Sequence, residues 1–210
     1  YTVALNDNVF ARALKDADWL VPDGSGIVLA SRTLGGAIKS RVTGSDVFAG
    51  LHRRMNDAGG MRVFFLGSTV ETLERMRERI AKDYPNVKVA GVYSPPFKDV
   101  YSGAELSAMV KAVNTAAPDV LWVGLSAPKQ EKFILENRAR LNVKFVAAVG
   151  AVFDFYAGTV GRPNSFWINL RLEWFIRLVK EPRRMWKRYL YYGPVFIGII
   201  FKEKLSRLIG

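Results

Sequence analysis

The chain has 210 residues, half of them hydrophobic, enough for one substantial core with room for an appendage. It has no cysteine, which excludes disulfides, thiolate metal sites and a cysteine nucleophile, and points to a reducing compartment. The net charge is +12 and unevenly placed: residues 162–210 hold 11 Lys/Arg against 3 Asp/Glu, and residues 1–161 hold the other 20 against 16. Such a basic block expects a polyanion: nucleic acid, anionic lipid or a phosphorylated substrate.

The chain opens at "YTVALND", with neither an initiator Met nor a signal-peptide pattern, so it is expected to begin inside a longer gene product. The run "DWLVPDG" reads as a first strand closed by Pro22-Asp23-Gly24. A buried strand follows in "MRVFFLGS", then a helix in "TVETLERMRERIAKDY" with apolar positions at Val70, Leu73, Met76 and Ile80. "VKVAGVYS" is the next strand and "AELSAMVKAVNTA" the next helix. "DVLWVGLS" is a strand, "APKQEKFILENRARL" a helix entered at Pro128, and "VKFVAAVG" the last clear strand. Strands alternating with helices imply a Rossmann-like α/β core, a parallel sheet with helices on both faces. Such sheets bind ligands at the carboxyl ends of their strands. After Gly161 the strand pattern stops, and a basic amphipathic helical C-terminal appendage follows, with breaks expected at Pro182 and Gly193-Pro194. The division is therefore 1–161 for the core and 162–210 for the appendage.

Several turns at the ligand edge carry two readings each. Asp23 in "PDGSG" is an N-cap or a catalytic carboxylate. In "RVTGSD", Ser45 or Asp46 caps a helix, while Arg41 is a surface arginine or a bidentate anion clamp. Gly67 and Ser68 in "FFLGS" form a plain turn or cradle a phosphate at a helix N-terminus. In "GLSAPKQEKF", Pro128 starts a helix, and Lys129, Gln130 and Glu131 are a solvated first turn or polar contacts to a sugar or base. "DADW" spells Asp-x-Asp but falls at a helix end on the wrong edge of the sheet, so it reads as a solvated terminus. His52 is the only histidine and reads as a surface or packed residue; no His-x-Glu cluster suggests zinc.

The tail from Glu173 sets Arg177, Arg184 and Arg188 on roughly one helical face, beside Trp174, Trp186 and tyrosines. Its longest apolar run, Tyr189 to Phe201, is 13 residues. A membrane span needs roughly 20, so surface attachment is expected. Trp186, Tyr189, Tyr191, Tyr192, Phe196, Ile197, Ile200 and Phe201 are its candidate membrane residues. A packed C-terminal helix with a basic outer face is the other reading.

The ordered motifs "PDG-G", "RVTGSD", "FFLGS", "GLSAPKQEKF", "VGAVFDFYAGTVGRP" and "LEWFIRLVKEPRRMWKRY" resemble the WecG/TagA/CpsF family of bacterial glycosyltransferases, over about Asn6 to Tyr189. The resemblance implies transfer of a sugar from a UDP-sugar to a polyprenyl-diphosphate-linked saccharide, with inversion and without a cofactor or metal, in cell-surface polysaccharide synthesis. It implies a peripheral enzyme on the cytoplasmic face of the bacterial inner membrane, with no nucleic-acid partner. By motif it makes Asp23, Arg41 and Gln130 catalytic. It places the donor near Gly67, Ser68, Pro128, Gln130, Glu131 and Asp154, and the acceptor diphosphate at Arg177, Arg184 and Arg188. Family members also carry a strand with a Thr-x-Asn motif ahead of the first helix; "YTVALND" does not supply it, so a donor contact is expected outside this sequence.

Two other classes compete. A nucleic-acid-binding module would use the basic tail, but the apolar run Val195 to Phe201 has no partner in nucleic acid. A Rossmann-type oxidoreductase would need a glycine fingerprint and an acidic ribose-binding residue that are missing. No residue decides among N-acetylmannosamine, its uronic acid and glucose, or sets the oligomeric state.

Overall fold

The computed structural model describes residues 2–159, 186 and 190–209. The chain divides into two compact units, one made of residues 9–21 and 42–160, the other of residues 1–8, 22–41 and 161–210.

The larger unit holds the sheet. Its elements run α1 (Asn8–Lys15, shared at its first residue with the other unit), α3 (Gly44–Ala58), β1 (Arg62–Gly67), α4 (Val70–Asp83), β2 (Lys88–Tyr93), α5 (Gly103–Ala116), β3 (Val120–Gly124), α6 (Lys129–Asn137), β4 (Phe145–Ala148) and α7 (Val152–Ala157). The four strands are parallel, in the order β2-β1-β3-β4. Side chains alternate across a strand, so each strand feeds two layers. Val63, Phe65, Val120 and Trp122 join Phe48, Leu73, Met76, Ile80 and Phe153 from α3, α4 and α7 on one face. Phe64, Leu66, Leu121 and Val123 join Met109, Val110, Val113 and Phe133 from α5 and α6 on the other. Helices therefore cover both faces, as the strand-helix alternation requires.

Helix starts follow the capping chemistry of the sequence. Thr43 caps α3: its Oγ1 accepts from the Asp46 amide at 3.2 Å, while Asp46 Oδ2 accepts from the Thr43 amide at 2.8 Å. The expected cap at Ser45 or Asp46 is thus corrected to Thr43, because a carboxylate three positions into a helix reaches back to the cap rather than acting as one. Ser102 and Glu105 repeat the arrangement at α5. Glu105 also pairs with Lys98 at 2.6 Å, which with the Ser102 bonds holds its carboxyl down at about 2.

At the amino edge of the sheet, Asp119 ties three strands at their starts. Its Oδ2 accepts from the Arg62 amide at 2.9 Å, its own amide donates to the Arg62 carbonyl at 2.9 Å, and its carbonyl accepts from the amides of Lys144 and Phe145. Lys144 Nζ pairs with Asp119 Oδ1 at 2.7 Å.

Three expectations about elements change. "DWLV" is not a strand: Trp19, Leu20 and Val21 are exposed and make no ladder, although the Trp19 ring stacks on Phe145 of β4 at 6.3 Å. β propensity favours a strand but cannot make one without a partner, and none of the described strands pairs with it. The helix after Pro128 ends at Asn137 and passes into a tight turn over Arg138–Arg140. Val70 is exposed, whereas Leu73, Met76 and Ile80 face the core as spaced.

In the smaller unit, α2 (Ser25–Thr33) packs on α8 (Tyr192–Ile209). Phe196 fits over Gly26, where an added Cβ would lie 3.6 Å from the ring, and Arg207 Nη1 donates to the Leu34 carbonyl at 3.2 Å. A change of helix does fall at the expected Gly193-Pro194: Leu190 and Tyr191 are π-helical, and the regular α8 begins at Tyr192. Pro194 stands in the first turn of α8, where a missing N–H costs no helical bond. The break expected at Pro182 lies outside the described residues.

Candidate active site

The carboxyl ends of β1, β3 and β4 converge in the larger unit. Gly67 ends β1 beside Gly124 of β3; a Cβ on Gly67 would meet the Gly124 carbonyl oxygen at 2.4 Å, and its φ is +119°. Only glycine allows both the backbone angle and this approach. Gly124 in turn lies beneath the Phe153 ring, 2.7 Å from where its Cβ would stand.

Beyond these glycines the chain takes uncommon conformations. Ser68 and Ser126, each just past a strand, have φ of 59° and 68°. Non-glycine residues adopt such angles at a cost, and they concentrate at functional sites. Ser68 Oγ donates to Asp154 Oδ1 on α7 at 3.1 Å, and Ser94 Oγ donates to the Ser68 carbonyl at 2.7 Å. The ends of β1 and β2 and helix α7 are thereby joined. Thr69 caps α4, and Thr72 and Thr159 approach at 3.5 Å. A polar cleft of about 420 Å³ opens there, bordered by Asp154 and Arg75 among others.

On β3's side, Pro128 follows a cis peptide and precedes α6, so the helix starts as expected. Gln130 is 5% exposed, so its amide is held by protein. The Gly150 amide, past β4, donates to Gln130 Oε1 at 3.0 Å, and Gln130 Nε2 donates to Glu131 Oε1 at 2.9 Å. Burial pushes the Glu131 carboxyl above its usual range, against the Gln130 bond that favours its charge. Lys129 Nζ donates to the Lys98 carbonyl at 2.9 Å and lies 5.0 Å over the ring of Phe97, itself 95% exposed.

Asp23 and Arg41 belong to the smaller unit. Asp23 is exposed in the turn into α2 and does not cap it: Gly24 is the N-cap, with no side-chain bond. The capping reading of Asp23 therefore falls, as does its place at a strand end. Arg41 is exposed at the end of a loop held by Arg32 Nη2 on the Lys39 carbonyl at 2.8 Å and by the Ile38 amide on Ser31 Oγ at 3.1 Å. Asp16 and Asp18 of "DADW" are exposed just past α1.

In the tail, Trp186, Tyr191, Ile197 and Phe201 are exposed, with Leu190 and Leu205 extending the same surface; Tyr192, Phe196 and Ile200 are half-buried. Arg177, Arg184, Arg188 and Tyr189 lie outside the described residues. Among the described residues no helix is long and apolar enough to cross a membrane, and no three His, Asp or Glu side chains are placed to hold a metal ion. His52 is fully buried, one of the two expected outcomes.

The structure thus gathers Gly67, Ser68, Pro128, Gln130, Glu131 and Asp154 at one sheet edge. Sequence reading put Ser94, Ser126 and Gly150 at strand ends on the ligand edge without giving them a role, and missed the threonines around α4. "FFLGS" and "GLSAP" each put a serine after a strand-ending glycine or leucine, but nothing in the letters gives their φ.

The glycosyl transferase WecG/TagA/CpsF family matches residues 1–209. The chain belongs to this family. It is 32% identical over 203 residues to an N-acetylglucosaminyldiphosphoundecaprenol N-acetyl-beta-D-mannosaminyltransferase of Bacillus spizizenii, covering 97% of this chain and 76% of that one. Enzymes of the same name in Bacillus subtilis and Staphylococcus aureus are 33% and 27% identical, each over 96% of this chain and about three quarters of the relative. The family resemblance of the motifs is confirmed, and the chain is a glycosyltransferase by membership.

Proposed function

We propose that this protein transfers a sugar, with inversion, from a UDP-sugar to a polyprenyl-diphosphate-linked saccharide at the cytoplasmic face of the bacterial inner membrane. The observation that carries this reading is the match, over nearly the whole chain, to enzymes whose names specify an N-acetylmannosaminyl group and an undecaprenyl-diphosphate acceptor. N-acetylmannosamine is therefore the first donor sugar to offer.

Asp23 takes the proton from the acceptor hydroxyl as that oxygen attacks the anomeric carbon. It stands exposed in the turn ahead of α2, where Gly24 is the N-cap. Negative charge grows on the departing UDP; Arg41 stabilises it, since a guanidinium pairs with two phosphate oxygens at once. Gln130, Ser68 and Asp154 hold the donor at the carboxyl edge of the sheet. No metal is assigned a part. Arg177, Arg184 and Arg188 receive the acceptor's diphosphate, and the exposed apolar side chains of α8 rest in the bilayer that holds its prenyl chain.

The test is Asp23→Asn, nearly isosteric and unable to act as a base. Transfer from UDP-N-acetylmannosamine to a short-chain prenyl-diphosphate N-acetylglucosamine should fall by roughly 10² to 10⁴ with an unchanged melting temperature. Turnover within a few-fold of wild type would remove Asp23 from this role.

A further inference from the structure

Gln130 has four hydrogen-bonding positions: two lone pairs on Oε1 and two N–H groups on Nε2. Being 5% exposed, it has little water to use. The Gly150 amide can only donate, so the atom it meets at 3.0 Å must be Oε1; the Nε2 end then faces Glu131 Oε1 at 2.9 Å. A neutral amide in such a place has two orientations related by a flip of its end. Here the flip would set an N–H against an N–H at Gly150, and a carbonyl oxygen against a carboxyl oxygen at Glu131. Glu131 and Gly150 therefore act as two halves of one lock. With it closed, one Nε2–H of Gln130 has no acceptor among the described residues. Glu131 Oε2 is itself buried and without a partner among them. That is a costly way to keep a carboxyl unless its other oxygen is needed where it stands.

We infer that Glu131 is a positioning residue: it and the Gly150 amide fix the Gln130 side chain in one orientation, so that the remaining Nε2–H is presented as a donor to an acceptor oxygen of the nucleotide-sugar. The role rests on the donor-site reading of Gln130 given above. The raised affinity of Glu131 for its proton fits the role, because Oε1 accepts the Gln130 bond whether or not Oε2 is protonated.

The test is a double-mutant cycle on the full chain with UDP as the probe, titrated by calorimetry, beside the side-chain amide resonances of Gln130. Glu131→Ala should weaken UDP binding about tenfold, the value of one well-placed hydrogen bond. Gln130→Ala should do the same, and the pair together should be no worse than Gln130→Ala alone, since Glu131 acts only through Gln130. Glu131→Gln keeps an acceptor at Oε1 and should restore binding to within about threefold of wild type. In the ligand-free protein, Glu131→Ala should move the Gln130 Nε2 proton shifts and speed their exchange, and Glu131→Gln should leave them near wild type. Independent, multiplicative losses in the cycle, or Gln130 resonances unmoved by Glu131→Ala, would overturn the lock. UDP binding unaffected by Gln130→Ala would instead remove Gln130 from the donor site, with the resonances still deciding whether Glu131 orients it.

Discussion

His52 sits at the centre of the aromatic layer under the sheet, and its charge is incompatible with that place. It is fully buried, stacked against Trp122 at 5.6 Å and Phe65 at 6.2 Å, with Phe48 and Tyr84 around it. Nδ1 lies 2.8 Å from the Phe48 carbonyl and so carries the proton of the neutral ring, while Nε2 is buried without a partner among the described residues. Burial lowers the pKa to about 4, against 6.5 for the free side chain, with the Phe48 bond opposing. The unfolded chain therefore binds the proton more tightly than the folded one. Stability is complete above about pH 6.5 and is lost as pH falls from there toward 4. Those two values give a loss of about 2 kcal/mol at pH 5 and a limit of about 3 kcal/mol well below pH 4. Urea unfolding followed by tryptophan fluorescence at pH 8 and pH 5, for wild type and His52→Leu, isolates the effect. Glu131, with a raised pKa, shifts stability the other way on acidification, and the comparison of the two proteins cancels it. Wild type should lose about 2 kcal/mol more than His52→Leu between these pH values. Equal losses would show that the ring is not held neutral, and the reasoning from burial would fail.

Two further outcomes follow from local structure. Thr43→Ala removes the Oγ1 half of the α3 capping box and should cost about 1 kcal/mol in urea unfolding without changing the unfolding slope. Ile197→Asp with Phe201→Asp replaces two exposed apolar side chains, 62% and 65% accessible, one turn apart on α8. If each inserts into lipid for about 1.5 kcal/mol or more, co-flotation with anionic vesicles should fall by roughly a hundredfold at unchanged melting temperature; flotation equal to wild type would remove this face from membrane contact.

The parallel sheet was legible because its strands are near-continuous apolar runs, as in "VFFLG" and "VLWVG", and only burial on both faces permits that. The helices were legible from their 3.6-residue spacing. "DWLV" misled because a short apolar run carries the same signal whether or not a partner lies beside it. Pro194 was legible as a helix boundary because a proline suits a first turn and not an interior. At the site, the motif letters named Gln130, Glu131 and Asp154. They also named Ser68, but not that it meets Asp154, nor that Gly150 past β4 meets Gln130; those pairings join distant parts of the chain and are not written locally. His52 and its aromatic neighbours were unreadable for the same reason: they come from four separate elements or turns.

The junction at Asp119 bears on how this fold changes. It fastens the beginnings of β1, β3 and β4 to one another through a single residue, on the edge away from Gly67 and Gln130. Three of the four strands are thus aligned from behind, by contacts on the edge opposite the proposed site. Loops in front can then be lengthened, shortened or rewritten without the sheet losing its alignment.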